Sequence, residues 1–358
     1  MRTLGVAVIG AGYWGPNLAR NFQYSSHWRL EAICDLDVER ASALSARLGG
    51  TPVTSSLEEV LADLAIDAIA IATPARTHYA ITMAAIAAGK HVVVEKPLAD
   101  SSDRAHEMVA AASAAGVVLM TDHTYCFTPA VLKMRELIEA GDLGDILYID
   151  SVRINLGIVQ PDVDVFWDLA PHDLSIMDFL LPGGLEPVSV TAVGADPLGT
   201  GKACVGHLSM TLPNGAIGHA HVNWLSPTKI RQMVIGGSKR TVVWDDLNPQ
   251  QRVSVYDRGV DLTTQALDHV ERASTLISYR LGDTWAPALQ EREALDAMVE
   301  DFAMAIRTGR RPRTDGDAGL RVLAVLEAAR RSLSHQHFEP HNDVSHSGNS
   351  ERMEAVAS

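Results

Sequence analysis

The apolar run Leu4-Gly5-Val6-Ala7-Val8-Ile9 ends abruptly in Gly10-Ala11-Gly12-Tyr13-Trp14-Gly15, and a helical stretch from Pro16 to Tyr24 follows. A G-x-G-x-x-G segment means little alone. Between a strand and a helix it meets the steric needs of a dinucleotide turn. Gly10 permits the tight turn, and Gly12 lets the backbone approach a pyrophosphate. Gly15 lets helix and strand pack closely, so that the helix N-terminus faces the phosphates. The next strand, Leu30 to Cys34, ends in Asp35, 20 residues after Gly15. A carboxylate there accepts hydrogen bonds from ribose hydroxyls and repels a 2′-phosphate, so NAD is expected over NADP. Asp37 competes for that role, although it is equally suited to capping a helix over residues 38–48.

The alternation continues through a helix from Leu57 to Leu64 capped by Ser56, a strand Ala68–Ala72, an alanine-rich helix Ala75–Ala88 and the run Val92-Val93-Val94. A helix from Ser101 to Ala115, with Gly116 as its C-cap, leads to a strand at Val117–Met120. Such a rhythm implies a doubly wound parallel sheet. Its ligands lie beyond the carboxyl ends of the strands. Thr73-Pro74 and Glu95-Lys96-Pro97 stand at two such ends.

After His123 the rhythm changes. An amphipathic helix over residues 129–140 precedes a long strand from Ile146 to Arg153, and residues 186–257 read as strands broken by turn signals. Pro213-Asn214-Gly215 is the clearest hairpin signal. An open, largely antiparallel sheet is expected, followed by helices over residues 288–307 and 316–334. The fold class is therefore α/β, with a Rossmann domain over residues 1–123 and a second α/β domain over 124–338. Residues 339–358 lack apolar periodicity and read as a disordered tail.

Composition narrows the function. The chain has 358 residues, a formal net charge of −14 and 47% hydrophobic residues. Two domains with sizeable cores fit that length, and the acidic balance argues against a nucleic-acid or anionic-membrane partner. Cys34, Cys126 and Cys204 form neither a disulfide framework nor a metal pair. With no signal peptide or membrane span in the sequence, a cytoplasmic location is expected. His219 and His221 alternate on one strand, but no carboxylate or cysteine has ligand spacing to them, so no metal is expected.

Asp164-Val165-Phe166-Trp167-Asp168-Leu169-Ala170-Pro171-His172-Asp173-Leu174 carries the chemistry of the second half. Asp168 and His172 are spaced i, i+4 and share a face if the segment is helical. Pro171 suits the first turn of a helix starting near residue 170. A histidine near a carboxylate is a tunable base around neutral pH. Arg153, Lys229 and Arg231 are candidates for a substrate's phosphates or carboxylate.

Taken together, the G-x-G-x-x-G run, Glu95-Lys96-Pro97 and Asp168-x-x-x-His172 resemble the Gfo/Idh/MocA oxidoreductase family over about residues 1–338. The resemblance implies an NAD(P)-dependent dehydrogenase or reductase of sugars, cyclitols or sugar nucleotides. It implies that Lys96 is the catalytic or substrate-orienting lysine, His172 the catalytic acid/base and Asp168 the motif's acidic residue. Cofactor contacts are expected from Gly10, Gly12, Tyr13, Trp14, Gly15, Asp35, Thr73, Pro74, Glu95 and Lys96. The family's second sheet often forms the oligomer interface, so a homodimer or homotetramer is expected. Tyr13-Trp14-Gly15-Pro16-Asn17-Leu18 and Trp167 to Asp173 look most like the branch oxidising UDP-N-acetylhexosamines or their uronic acids. A cyclitol or free-sugar dehydrogenase is the alternative, and a non-catalytic NAD-sensing regulator is the alternative from another class. The family's Phe-Arg-Tyr-Asn-Pro segment is here Tyr125-Cys126-Phe127-Thr128-Pro129, without the Arg and Asn. For hydride transfer from a secondary alcohol, His172 is the first choice of base with Lys96 stabilising the alkoxide; the reverse assignment stays open.

Overall fold

The computed structural model describes residues 2–160, 163–262 and 277–334. The first half alternates as its sequence requires: β1 (Leu4–Ile9), α1 (Gly15–Tyr24), β2 (Trp28–Cys34), α2 (Val38–Arg47), β3 (Val53–Thr54), α3 (Leu57–Ala62), β4 (Ala68–Ile71), α4 (Ala75–Ala87), β5 (His91–Glu95), α5 (Ser102–Ala115) and β6 (Leu119–Asp122). All six strands are parallel, in the order β3-β2-β1-β4-β5-β6. Covered on both faces, they read as continuous apolar runs rather than alternating ones. Ala41, Leu44, Leu18 and Phe22 of α1 and α2 pack on one face, and Val60, Ile86 and Met108 of α3, α4 and α5 on the other.

Local signals set the helix ends. Asp37 caps α2 by accepting from Arg40 N, Ser56 caps α3, and Gly116 closes α5 at φ 66°. The last strand runs two residues further than the apolar run suggests, because Thr121 and Asp122 continue the ladder. That extension puts Asp122 and His123 at the carboxyl edge.

A 3-10 turn at Thr124–Phe127 leads to α6 (Pro129–Glu139), β7 (Ile146–Leu156) and α7 (Val165–Leu180). The strands β8 (Ser189–Ala195), β9 (Val205–Thr211), β10 (Ile217–Asn223), β11 (Leu225–Gly237), β12 (Thr241–Asp245), β13 (Val253–Leu262) and β14 (Ile277–Trp285) follow. They join β7 in an eight-stranded sheet ordered β14-β13-β12-β11-β7-β10-β9-β8, antiparallel except where β10 runs parallel to β7. The 213–215 turn links β9 and β10 as a hairpin. Strand β14 lies beyond the region expected to form strands.

Two expectations need correction. Helix α7 begins at Val165, not near residue 170, because Asp164 accepts from Trp167 N (3.0 Å), and Pro171 sits inside it. The following helix, α8 (Ala294–Thr308), begins six residues later than the expected 288. The carboxylate of Glu293 there is held by Arg20 and Asn21 of α1, which keeps that stretch out of the helix. The final helix, α9 (Gly316–Ser334), matches its expected span. The tail expected at 339–358 lies outside the described residues. Among the described residues no helix is long and apolar enough to cross a membrane.

Candidate active site

The glycine loop follows β1 at the centre of the parallel sheet. Gly10 has φ 101°, and a Cβ there would lie 2.7 Å from the Ala72 carbonyl. A Cβ at Gly15 would lie 2.0 Å from the Gly10 carbonyl. Both positions therefore demand glycine on packing grounds. Gly12 differs: a Cβ there would meet nothing nearer than Arg40 Nη1 at 4.0 Å. The chain itself does not need glycine at that position, whereas a pyrophosphate against the loop would. Tyr13 is 95% exposed beside it.

Asp35 closes the loop from below. Its Oδ2 accepts from Ala11 N (2.6 Å) and its Oδ1 from Asp37 N (2.8 Å). It thus braces the loop. Across the sheet, His78 is 1% exposed and bridges the carbonyls of Thr73 and Pro97, each at 2.8 Å. It ties the ends of β4 and β5 together. The Lys96-Pro97 peptide is cis.

The end of β5 meets α7. Lys96 Nζ donates to the Asp168 backbone carbonyl (3.1 Å) and lies 3.7 Å from its carboxylate. Trp224, buried in the one-residue link between β10 and β11, donates from Nε1 to Asp168 Oδ2 (2.9 Å). The expected Asp168–His172 pairing is not formed: Asp168 is engaged by Lys96 and Trp224, and no hydrogen bond joins it to His172. The imidazole of His172 rests edge-on against Tyr125, with centroids 5.2 Å apart. Burial, then Lys96, Arg153, His123 and Arg231, push its pKa well below the ordinary histidine value. His172 is therefore a neutral acceptor among cations at neutral pH.

Of the three expected substrate cations, one is committed elsewhere. Arg153 is 2% exposed, holds Asp173 through two hydrogen bonds of 2.9 Å and stacks over Tyr125 at 4.5 Å. Its position on β7 points it into the core, where its fork is occupied. Arg231 is partly exposed and 3.4 Å from Asp246. Lys229 is exposed, within the stretch where β11 leaves the ladder with β7 between Leu225 and Ile230.

Four residues of the site were not anticipated: Asp122, His123, Tyr125 and Trp224. His123 is 2% exposed, and neither ring nitrogen has a hydrogen-bond partner among the described residues. Burial, and then Lys96, push it down to about 3. Asp122 accepts from Trp14 Nε1 (3.0 Å) and Thr124 Oγ1 (2.5 Å). Trp14 thus spans from the glycine loop to β6. The signal that could have found Asp122 and His123 is their place just after an apolar strand in a parallel sheet.

Two family models cover most of the described chain. Residues 4–123 match the model described as "Oxidoreductase family, NAD-binding Rossmann fold", and residues 131–243 match the Gfo/Idh/MocA C-terminal domain. A UDP-N-acetylglucosamine 3-dehydrogenase of Acidithiobacillus ferrooxidans is 33% identical over 328 residues, 91% of this chain and 95% of that protein. The chain belongs to the Gfo/Idh/MocA oxidoreductase family. The solved structure of the Acidithiobacillus enzyme superposes with a TM-score of 0.78 at 30% identity, covering 93% of this chain and 98% of that one. GenD2 from gentamicin A biosynthesis, solved in complex with NAD, gives 0.77 at 25% identity, covering 94% and 95%. An inositol 2-dehydrogenase of Rhizobium meliloti is 27% identical over 93% of this chain and 97% of its own length. NAD is the cofactor of this Rossmann domain, and the glycine loop with its open Gly12 fits it.

Proposed function

We propose that this family member oxidises a secondary alcohol of a sugar nucleotide, of the UDP-N-acetylhexosamine kind, using NAD. The observation that carries the reading is the meeting of Lys96, Asp168 and a neutral His172 at the carboxyl edge of the parallel sheet. Bound there, NAD supplies the hydride acceptor. The chain's own groups handle the proton. His172, held neutral by burial and by cations, takes the hydroxyl proton. Lys96, anchored through Asp168, faces the oxygen as negative charge develops on it. Asp168 is a positioning residue, fixed from behind by the Trp224 indole. Lys229 and Arg231, exposed and partly exposed on β11, suit the diphosphate of a sugar nucleotide, while Arg153 is committed to Asp173.

The 33% identity to a UDP-N-acetylglucosamine 3-dehydrogenase supports this choice over cyclitols, whose dehydrogenase in Rhizobium meliloti stands at 27%. The outward face of the second sheet, with Val193 and Ile217 exposed, suits an oligomer contact. Three free, buried cysteines suit a reducing, cytoplasmic setting. The test is absorbance in the NADH band while the protein and NAD meet UDP- and dTDP-sugars, free sugars and inositols. Turnover of sugar nucleotides above the rest is expected. Preference for inositol would overturn the substrate class, and no turnover with any of them would favour an NAD-sensing role.

A further inference from the structure

Glu95 and Asp122 are the last residues of β5 and β6, and the parallel register pairs them directly. Asp122 is 2% exposed. Residues paired across neighbouring strands project their side chains to the same side, so the ladder brings the two carboxyl groups together at the sheet's edge. Two carboxyl groups so placed repel one another when both are ionised, which favours a proton on one of them.

The two carboxyl groups meet different numbers of donors. Asp122 Oδ2 accepts from Trp14 Nε1 and its Oδ1 from Thr124 Oγ1. Glu95 Oε2 accepts from Lys96 N (3.0 Å). Glu95, which meets one donor where Asp122 meets two, is therefore the member that holds the proton. Burial first, and then Asp122, hold the Glu95 carboxyl well above its ordinary range.

The charges facing the pair are few. On its own strand Lys96 follows Glu95, and Lys96 is engaged by Asp168 of α7. On β6 His123 follows Asp122 and is neutral. From α7, His172 is neutral as well. From the glycine loop only the uncharged Trp14 indole arrives. Asp35 at the end of β2 marks the adenosine side of the loop, so a dinucleotide laid across the carboxyl edge carries its other end toward β4 and β5. A cationic nicotinamide brought to this place would be the strongest new charge acting on the pair.

We propose that Glu95, set against Asp122 at the sheet's edge, holds a proton beneath the nicotinamide, releasing it to solvent when NAD⁺ binds and keeping it when NADH binds. The proposal rests on the NAD reading and deepens it. During oxidation the alcohol loses a hydride to the ring and a proton to the protein. As the ring loses its charge, Glu95 recovers its affinity for one proton from solvent.

The test is calorimetric binding of NAD⁺ and NADH to the full-length protein, in two buffers of different protonation enthalpy and across pH. NAD⁺ is expected to release a fraction of a proton at neutral pH and NADH none. NAD⁺ affinity should climb by at most about tenfold per pH unit, the limit for one linked proton, while NADH affinity stays flat. Glu95→Gln, which has no proton to lose there, should erase the difference. Equal proton release for both nucleotides in the wild type overturns the proposal, a result that needs no variant. A difference that survives in Glu95→Gln overturns it too. If neither nucleotide binds, the cofactor reading itself fails and takes this inference with it.

Discussion

Replacing Asp173 by alanine would leave the Arg153 guanidinium buried with no carboxylate. Both side chains are almost wholly covered, at 3% and 2% exposure, and both hydrogen bonds between them are 2.9 Å. Removing one partner of such a pair costs about 3–5 kcal/mol, mostly because the surviving charge is stranded. For a unit of about 150–250 residues each kcal/mol moves Tm by about 2–4 °C, so Asp173→Ala should lower Tm by about 6–20 °C. The double variant Arg153→Met, Asp173→Leu removes both charges and should recover most of that loss, less about 1 kcal/mol for the stacking on Tyr125. Thermal and urea unfolding read both values. A loss below about 1 kcal/mol in Asp173→Ala would refute the buried-pair reasoning. The double variant also separates roles: a large rise in KM without a change in stability would return Arg153 to the substrate's phosphates.

Four further outcomes are expected. Lys96→Met and His172→Ala should each lower kcat by about 10²–10⁴ with strong non-additivity and little change in NAD affinity; near-normal turnover in both would sink the hydride-transfer assignment. Gly12→Ala should keep its melting temperature but weaken NAD binding, whereas Gly15→Ala should lose stability outright, since its new Cβ meets the Gly10 carbonyl; titration and unfolding of both check this. Asp35→Ser should narrow the NAD preference in kcat/KM against NADP, and equal use of NADP by the wild type would remove the basis for it. His123 has a folded pKa of about 3 against about 6.5 unfolded, so the unfolded chain binds the extra proton between those values. Its contribution is full above pH 6.5 and drains as pH falls, at about 1.4 kcal/mol per unit. His123→Leu should flatten that slope of unfolding free energy against pH; an unchanged slope would contradict it.

The first half of the fold was legible because its rules are local. Gly15 answers to the Gly10 carbonyl within its own loop, and Ser56, Asp37 and Gly116 mark helix ends from a few residues away. The start of α8 was not legible, since Glu293 is diverted by Arg20 and Asn21 of α1, far off in sequence. The site divides in the same way. Lys96, Asp168 and His172 stand in recognisable motifs. The partner that Asp168 takes is instead decided by Trp224 and Lys96 arriving from other elements. Arg153 reads as a candidate anion ligand until its strand turns it inward onto Asp173.

Helix α8 has a consequence for the order in which the molecule can be completed. Its Leu295, Met298, Val299 and Phe302 pack into the first sheet's own core, where Phe302 stacks on Trp28 with centroids 5.3 Å apart and Val299 accepts from the Trp28 indole (2.7 Å). Thr314 extends the same closure by pairing with Thr121 at the sheet's edge. On the ribosome, the apolar flank around Phe22 and Trp28 therefore emerges long before the helix that covers it. Domains that can fold as they emerge escape this exposure; this one must wait through the synthesis of the whole second sheet, an interval in which its open flank is a target for chaperones or for aggregation.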